Sequence, residues 1–402
     1  MKFRKIISCI LCAGILTLSM SACETGGTET ETTTVTDTAP AVGETITNTA
    51  ISGSIRDISS MELIDELVAG WNLGNTLDAT GGSGLSSETS WGNPVTTKEM
   101  IDTVKAAGFN IIRIPVTWAR HLDINDEIDP AWLDRVQEVV NYTIDENTYV
   151  IINLHHEEWN NTFIEKKDET VEKIKKVWSQ IAERFKDYDE HLIFEGQNEP
   201  RKKGTNLEWT GGDDECWEFV NATNMAFVET VRNSGGNNTA RHLMIPGYCA
   251  TSDPIGPTKI QLPENDDKII VSVHAYTPYT FALSDTPSSK FSSTRKNATK
   301  DIDSLAEMLK TSYIDNNIAV IIGETGARNK DNTDSRVDWA GYYTATMRKA
   351  GITCIWWDNG AVSGGGENFG LLDRRTCTWY FPEIMEAFIK GAKGELTFET
   401  NE

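Results

Sequence analysis

Two glutamates stand where a short apolar run gives way to glycine, proline or polar residues: Glu199 in LIFEGQNEP and Glu324 in AVIIGETG. An ionised side chain beside a run of Leu, Ile, Val and Phe is costly unless something pairs with it or uses it. Two carboxylates so placed suggest acid/base or nucleophilic chemistry. Arg113, His155, Asn198, His274, Tyr276 and Trp357 also lie at or near the C-terminal ends of apolar runs.

Strand periodicity sharpens this set, because residues two apart share a face. In VSVHAY, Ser272, His274 and Tyr276 fall on one face, and Val271, Val273 and Ala275 on the other. Asn153 and His155 behave alike in IINLHH. Glu195 and Glu199 share a face of the same run. Glu195 lies deeper and is expected to be structural, paired with Arg113, whereas Glu199 sits at the rim beside Pro200.

These side chains need a frame that gathers strand ends. Eight apolar strands follow in order: 68–74, 109–115, 149–156, 191–199, 242–248, 269–276, 318–324 and 352–358. Helical periods fall between most of them, including TVEKIKKVWSQIAERF, CWEFVNATNMAFVETVR, DIDSLAEMLKTSYI and VDWAGYYTATMRKA, and FPEIMEAFIKG follows the last. Thr96 with Glu99 reads as a capping box, and Asp129 followed by Pro130 opens another helix. The fifth crossover, 249–268, reads as loop. The alternation predicts an α/β fold, a parallel (β/α)8 barrel whose C-terminal strand ends converge on the site. A doubly wound open sheet is the alternative, weakened because no glycine-rich phosphate turn follows the first strand. The segment MELIDEL, capped by Ser59 and Glu62, is expected to close the barrel bottom.

Three basic residues, an apolar run and the small residues Ser21 and Ala22 before Cys23 make residues 1–23 a secretory signal. The run SMSAC resembles a bacterial lipoprotein box with Met20 where Leu is usual, so Cys23 either carries a lipid or belongs to a signal cleaved without one. Residues 24–50 are mostly Thr, Glu, Gly and Ala and read as a solvated linker to a catalytic domain at 51–402. Loss of the signal takes the formal net charge from −23 to −26, since it holds three basic residues and no acid. That charge argues against nucleic acid or anionic lipid as ligand and suits a neutral substrate. Of seven cysteines, Cys216, Cys249, Cys354 and Cys377 lie beyond Cys23, at separations that match no zinc pattern and leave room for one disulfide.

The segments GWNLGNTLDA, ETSWGNPVTT, GFNIIRIPVTW, IINLHHE, IFEGQNEPR, VSVHAY, IGETG and CIWWDNG, in this order, resemble glycoside hydrolase family 5, the cellulase family of clan A, over about residues 60–390. The phrases GWNLGNTLDA and FEGQNEPR are most similar to the branch holding endo-β-1,4-glucanases, among them enzymes accepting xyloglucan, lichenan or xylan. Gln197 stands where Met is common there. The resemblance implies a retaining double displacement, with Glu199 as general acid/base and Glu324 as nucleophile. Asn198 would bind the sugar 2-hydroxyl, Arg113 and Tyr276 would orient Glu324, His155 and His274 would complete the polar network, and Trp357 would stack on a sugar. Glycosidic hydrolysis needs one carboxyl as proton donor and a second as carboxylate. The expected order therefore has Glu199 raised by its anionic neighbour and Glu324 held ionised by Arg113 and Tyr276.

Plainer roles compete for the remaining candidates. His121 and His156 read as structural, Glu157 and Glu158 as solvated loop acids, Trp132 and Trp178 as core, and GGSG at 81–84 as flexible loop. Trp91, Trp159 and Trp209 suit sugar stacking and core packing about equally. A metal-dependent hydrolase on the same barrel is the alternative mechanism, since HHE could look like a metal cluster, but no HExxH helix is present. A binding protein without catalysis is disfavoured by the presence of both glutamates. The expectation is an extracellular, monomeric endo-β-1,4-glucanase acting on soluble or amorphous glucan without metal or cofactor, with a β-mannanase or xyloglucan-specific hydrolase as alternative. Membrane attachment would come only through a lipid on Cys23.

Overall fold

In the computed structural model, residues 53–285 and 288–398 are described. The expected signal and linker, residues 1–50, lie outside them. The eight strands close a parallel barrel in sequence order. They are β1 (Ala69–Leu73), β2 (Ile111–Ile114), β3 (Tyr149–Asn153), β4 (Leu192–Glu195), β5 (Leu243–Pro246), β6 (Ile269–His274), β7 (Ala319–Thr325) and β8 (Thr353–Asp358). Pairing of β1 with β8 completes the ring and removes the open sheet from consideration.

Ten helices accompany them among the described residues: α1 (Ser60–Glu66), α2 (Lys98–Ala107), α3 (Pro130–Thr143), α4 (Lys167–Arg184), α5 (Asp214–Asn233), α6 (Gly256–Lys259), α7 (Tyr279–Ala282), α8 (Lys296–Ser312), α9 (Thr333–Lys349) and α10 (Pro382–Ala392). The cap of α2 is Thr97, which accepts from the Met100 amide, one residue later than Thr96. Asp129 caps α3 and Pro130 opens it as expected. The fifth crossover holds a single turn, α6, so its reading as loop is nearly right.

Strand alternation builds two cores. Outward residues such as Ile112, Val150, Val271 and Val320 pack under the helices. Inward, Ile111, Ile151, Ile193, Met244, Ile270, Ile321 and Ile355 fill the lower barrel and meet Leu63, Ile64 and Leu67 of α1 and its C-terminal edge, which close the bottom. One step up the same inward faces stand Asn72, Arg113, Asn153, Glu195, Ser272 and Trp357, all buried. The barrel is thus apolar below and polar above. Gly70 permits a close approach in the lower layer, because a Cβ there would lie 2.6 Å from Cγ1 of Ile355.

Candidate active site

Arg113 on β2 is the hub of the polar layer, with no exposed surface. Its guanidinium donates to Glu195 Oε2 at 2.7 Å, Asn72 Oδ1 at 3.0 Å, Glu324 Oε1 at 2.8 Å and Asn198 Oδ1 at 2.6 Å. Burial lowers the pKa of Arg113, but the charges of Glu195 and Glu324 outweigh it and keep the group cationic. Glu195 also accepts from Ser272 Oγ at 2.6 Å and Asn153 Nδ2 at 3.0 Å, so it is a structural acid as expected.

Glu324 reaches the same mouth against the simple alternation of its strand. Ala319 and Ile321 of β7 face the barrel interior and Val320 and Ile322 face the helices. Strict period two would send residue 324 outward. A register shift between Ile322 and Thr325 lets Glu324 turn inward to Arg113 and to the Tyr276 hydroxyl at 3.0 Å. Bulges next to active sites re-aim side chains in this way.

Glu199 lies four residues beyond the end of β4, on an irregular segment rather than on the strand. The Asn198 amide donates to Leu154 O at 2.9 Å and fixes this segment against the β3 loop. Glu199 Oε1 is 2.7 Å from His274 Nδ1, and Glu199 Oε2 is 3.4 Å from Arg201 Nη1. His274 Nδ1 is also 3.6 Å from Glu324 Oε2. A carboxylate oxygen from each of Glu199 and Glu324 and a ring nitrogen of His274 all fall within 4.8 Å of one another.

This arrangement reverses the expected pKa order. Burial raises Glu199, but the hydrogen bond and charge of His274, with Arg201 behind, hold its carboxyl below the ordinary value. Burial also raises Glu324, and the Glu199 charge adds to that rise against the pull of His274 and Arg113. His274 itself is raised, since the two carboxylates outweigh its burial. The proton expected on Glu199 is therefore shared with His274. Written as imidazolium and carboxylate, or as imidazole and carboxylic acid, the pair holds the same proton.

His155 lies past the end of β3 and stacks parallel to Trp357, with ring centroids 5.7 Å apart. Trp357 is only 7% exposed, so little of its indole is open to the cleft. Asn153 fixes the His155 tautomer. Its Oδ1 accepts from the Val116 amide and its Nδ2 donates to Glu195, so Nδ2 also donates to His155 Nδ1 at 3.2 Å. The His155 proton then sits on Nε2, which points to Asp78 Oδ2 at 3.9 Å. His156 Nε2 is 3.8 Å from the same oxygen. These three residues have metal-ligand character and spacing. A proton on His155 Nε2 removes the lone pair that a metal ion would need, which points away from the metal-dependent alternative.

Several residues of the site were not anticipated. Asn72 takes Arg113 at one end and donates to Gly323 O and Trp356 O at the other. Asp78 is fully buried and pushed up to about 6 by burial against the amides of Thr76 and Asn75. Glu157 corrects the reading of a solvated acid: it is 3% exposed, accepts from the Trp118 amide at 2.7 Å, and burial raises it to about 7. Glu158 is exposed as expected. His121 stacks on Trp132, and Trp178 is buried, so these are core. Trp159 packs against the main core, whereas Trp91 and Trp209 are 43% and 62% exposed. Gln197 is held by Asn160, Thr223 and Asn224 and stays below the cleft. All four described cysteines are free thiols.

The family model Cellulase (glycosyl hydrolase family 5) matches residues 76–363. The chain is 52% identical over 340 residues to Endoglucanase B of Ruminococcus albus, covering 84% of this chain and 82% of that one. It superposes with a TM-score of 0.81 on a GH5-4 broad specificity endoglucanase from Ruminococcus champanellensis with bound cellotriose, at 44% identity over 84% of this chain and 100% of the other. A GH5 xyloglucan-specific endo-beta-1,4-glucanase from a metagenomic library, in complex with cellotriose, gives 0.78 at 43% identity, over 82% of this chain and 98% of that one.

Proposed function

The chain belongs to glycosyl hydrolase family 5 and is an endo-β-1,4-glucanase, and we propose that it works by a retaining double displacement with Glu199 as acid/base and Glu324 as nucleophile. The observation that carries this reading is the approach of the two carboxylates, whose oxygens lie within 4.8 Å of each other around His274. Retaining glycosidases place the pair about 5–5.5 Å apart, whereas inverting enzymes leave roughly 6.5–9.5 Å for a water.

In the first step Glu324 attacks the anomeric carbon while the bond to the leaving oxygen breaks and Glu199 gives that oxygen its proton. Arg113 holds Oε1 of Glu324 and the Tyr276 hydroxyl holds Oε2, which orients the nucleophile, and the Arg113 charge opposes the rise that burial and Glu199 impose on it. In the second step Glu199 takes a proton from water as it attacks the glycosyl ester. Asn198, whose Oδ1 is held by Arg113, has its side-chain Nδ2 to offer the sugar 2-hydroxyl.

We also propose that residues 1–23 direct export, that 24–50 act as a spacer, and that the enzyme works outside the cell as a monomer, surface-held where Cys23 is lipidated. The charge order and small residues before Cys23 support export. The mass of the N-terminal peptide of the mature enzyme would separate a lipidated Cys23 from an unmodified terminus, and sedimentation would test the monomer.

The catalytic test is reducing-sugar release from carboxymethyl cellulose, mixed-linkage β-glucan, xyloglucan, xylan and mannan, with Glu324→Gln alongside. Release from β-1,4-glucans that disappears in Glu324→Gln supports the assignment and ranks the backbones. Release retained by that variant removes Glu324 as nucleophile. Glu199→Gln should lose about 10²- to 10⁴-fold on glucan. With an activated glycosyl donor it should accumulate a glycosyl-enzyme visible by intact mass.

A further inference from the structure

Glu199 stands in the middle of a span whose two ends are held by one short stretch of the loop after β3. Two residues before it, Gln197 Oε1 accepts from Asn160 Nδ2 at 2.7 Å. Two residues after it, Arg201 O accepts from the Thr162 amide at 3.3 Å, and Arg201 forms an isolated parallel bridge with Asn161. Residues 160–162 therefore grip both sides of the acid/base residue.

Gln197 is the buried end of this grip. It is 1% exposed, and its Nε2 donates to Thr223 Oγ1 at 2.9 Å and to Asn224 Oδ1 at 2.8 Å, both on α5. The amide fits only this way round. Thr223 Oγ1 directs its own proton to the carbonyls of Phe219 and Val220, and Asn224 Nδ2 donates to Pro246 O at 2.8 Å, so both present acceptors to Gln197. Its Oε1 is left for the Asn160 amide. A buried side chain with its acceptor and both amide protons matched is held in one orientation, and the backbone that carries it is held with it. The neighbouring carbonyls are fixed as well: Gly196 O accepts from Trp178 Nε1 at 3.0 Å, and Pro200 O from the Cys249 amide at 2.9 Å. Since β4 ends at Glu195, no strand ladder places Glu199, and these hydrogen bonds take over that task.

We propose that Gln197 is a positioning residue for the proton transfer to the leaving oxygen. With Asn160 it forms a buried staple that sets where Glu199 stands relative to His274 and to that oxygen. Gln197 acts through Glu199 and does not meet the substrate, so the inference rests on the acid/base role given above. Proton transfer depends steeply on the placement of the donor. Cutting the staple should therefore slow the reaction that needs the proton and spare one that does not.

The experiment measures kcat and KM of the parent enzyme, Gln197→Met and Asn160→Ala on cellohexaose and on dinitrophenyl β-cellobioside. Met keeps the length of Gln without its hydrogen bonds. Asn160→Ala cuts the link from the loop side and leaves the Gln197 bonds to α5 in place, so the comparison survives if Gln197→Met does not fold. Dinitrophenolate departs without a proton, so kcat/KM on that substrate does not depend on where Glu199 stands. The expected result for both variants is a loss of about tenfold in kcat on cellohexaose, with KM and the kcat/KM on the aryl cellobioside within about twofold of the parent. The double variant should lose little more than the worse single one, because both cut one link. Equal losses on both substrates, or an unchanged kcat on cellohexaose in either variant, would overturn the staple. Glu199→Gln run alongside separates the two failures. Its own selective loss on cellohexaose, unmatched in the staple variants, removes only the staple, whereas no selective loss in Glu199→Gln removes the acid role beneath it.

Discussion

Nδ1 of His274 lies 2.7 Å from Oε1 of Glu199, and this contact decides where the acid's proton resides. The proton belongs to the pair, and the raised His274 sets the pH at which the pair loses it. The high-pH limb of kcat/KM should accordingly track a raised imidazole. In His274→Gln the proton rests on Glu199 alone, and a carboxyl, even one raised by burial, starts from a lower ordinary value. The high-pH limb should therefore move to lower pH, with the low-pH limb much less affected. A pH–rate profile of the variant measures this, and an unmoved high-pH limb would remove His274 from the proton unit.

Arg113→Met should cost stability as well as activity. The substitution leaves Glu195 and Glu324 buried without their common cation, and breaking such a pair costs about 3–5 kcal/mol. Glu324, already raised by burial, would then sit further above its unfolded value. The penalty is absent below the ordinary carboxylate range, where both states are protonated, and grows as pH rises through it. Thermal unfolding of parent and variant at pH 4 and pH 7 should show a small gap at the first and a large one at the second. Equal gaps at both would mean that the loss is packing alone.

Glu157 makes a separate stability prediction. Its folded value near 7 exceeds the ordinary carboxylate value because the group is buried with one oxygen on the Trp118 amide. Below the ordinary value the acid is neutral in both states and imposes no penalty. As pH rises from about 4.5 to 7 the unfolded chain ionises first, so folding loses stability, up to about 3 kcal/mol. Glu157→Gln should flatten this dependence and gain on the parent between pH 5 and pH 7.5 in urea unfolding. A parallel pH dependence in the two proteins would count against the buried acid as its source.

The barrel was readable because each strand alternates or runs apolar for the length a strand needs and each helix repeats on its own period. The strand-end rule then brought Arg113, His155, Asn198, Glu199, His274, Tyr276, Glu324 and Trp357 to one mouth. What the pattern could not supply was local geometry. Glu324 faces inward only through a register shift. Glu199 is placed by an irregular segment after β4. Glu157 is polar and follows a strand, so nothing in its neighbours marks it as buried. Thr96 and Thr97 are equal as caps in sequence, and helix phase chose the second. Asn72 and Asp78 lie in a motif that signals the family, but only contacts with Arg113 and with His155 and His156 give them a role.

Gly70 offers a test of the layer that supports all of this. It pairs in register with Ile111 on one side and Ile355 on the other. A methyl at Gly70 would meet Ile355 Cγ1 at 2.6 Å, Cγ2 at 2.8 Å and Cβ at 2.9 Å, too close on a branched core side chain to be absorbed by a rotamer change. Overpacking of this kind costs about 1–3 kcal/mol. Because Asn72 follows two residues later on the same face and holds Arg113, strain at Gly70 should reach the nucleophile through Asn72 and lower kcat together with stability. Ile355→Ala frees the contested space, so the pair Gly70→Ala and Ile355→Ala should be more stable than the two separate losses summed, by about 1 kcal/mol or more. Additive losses in denaturant unfolding would show that the methyl is accommodated elsewhere and that the β1–β8 seam is not the constraint.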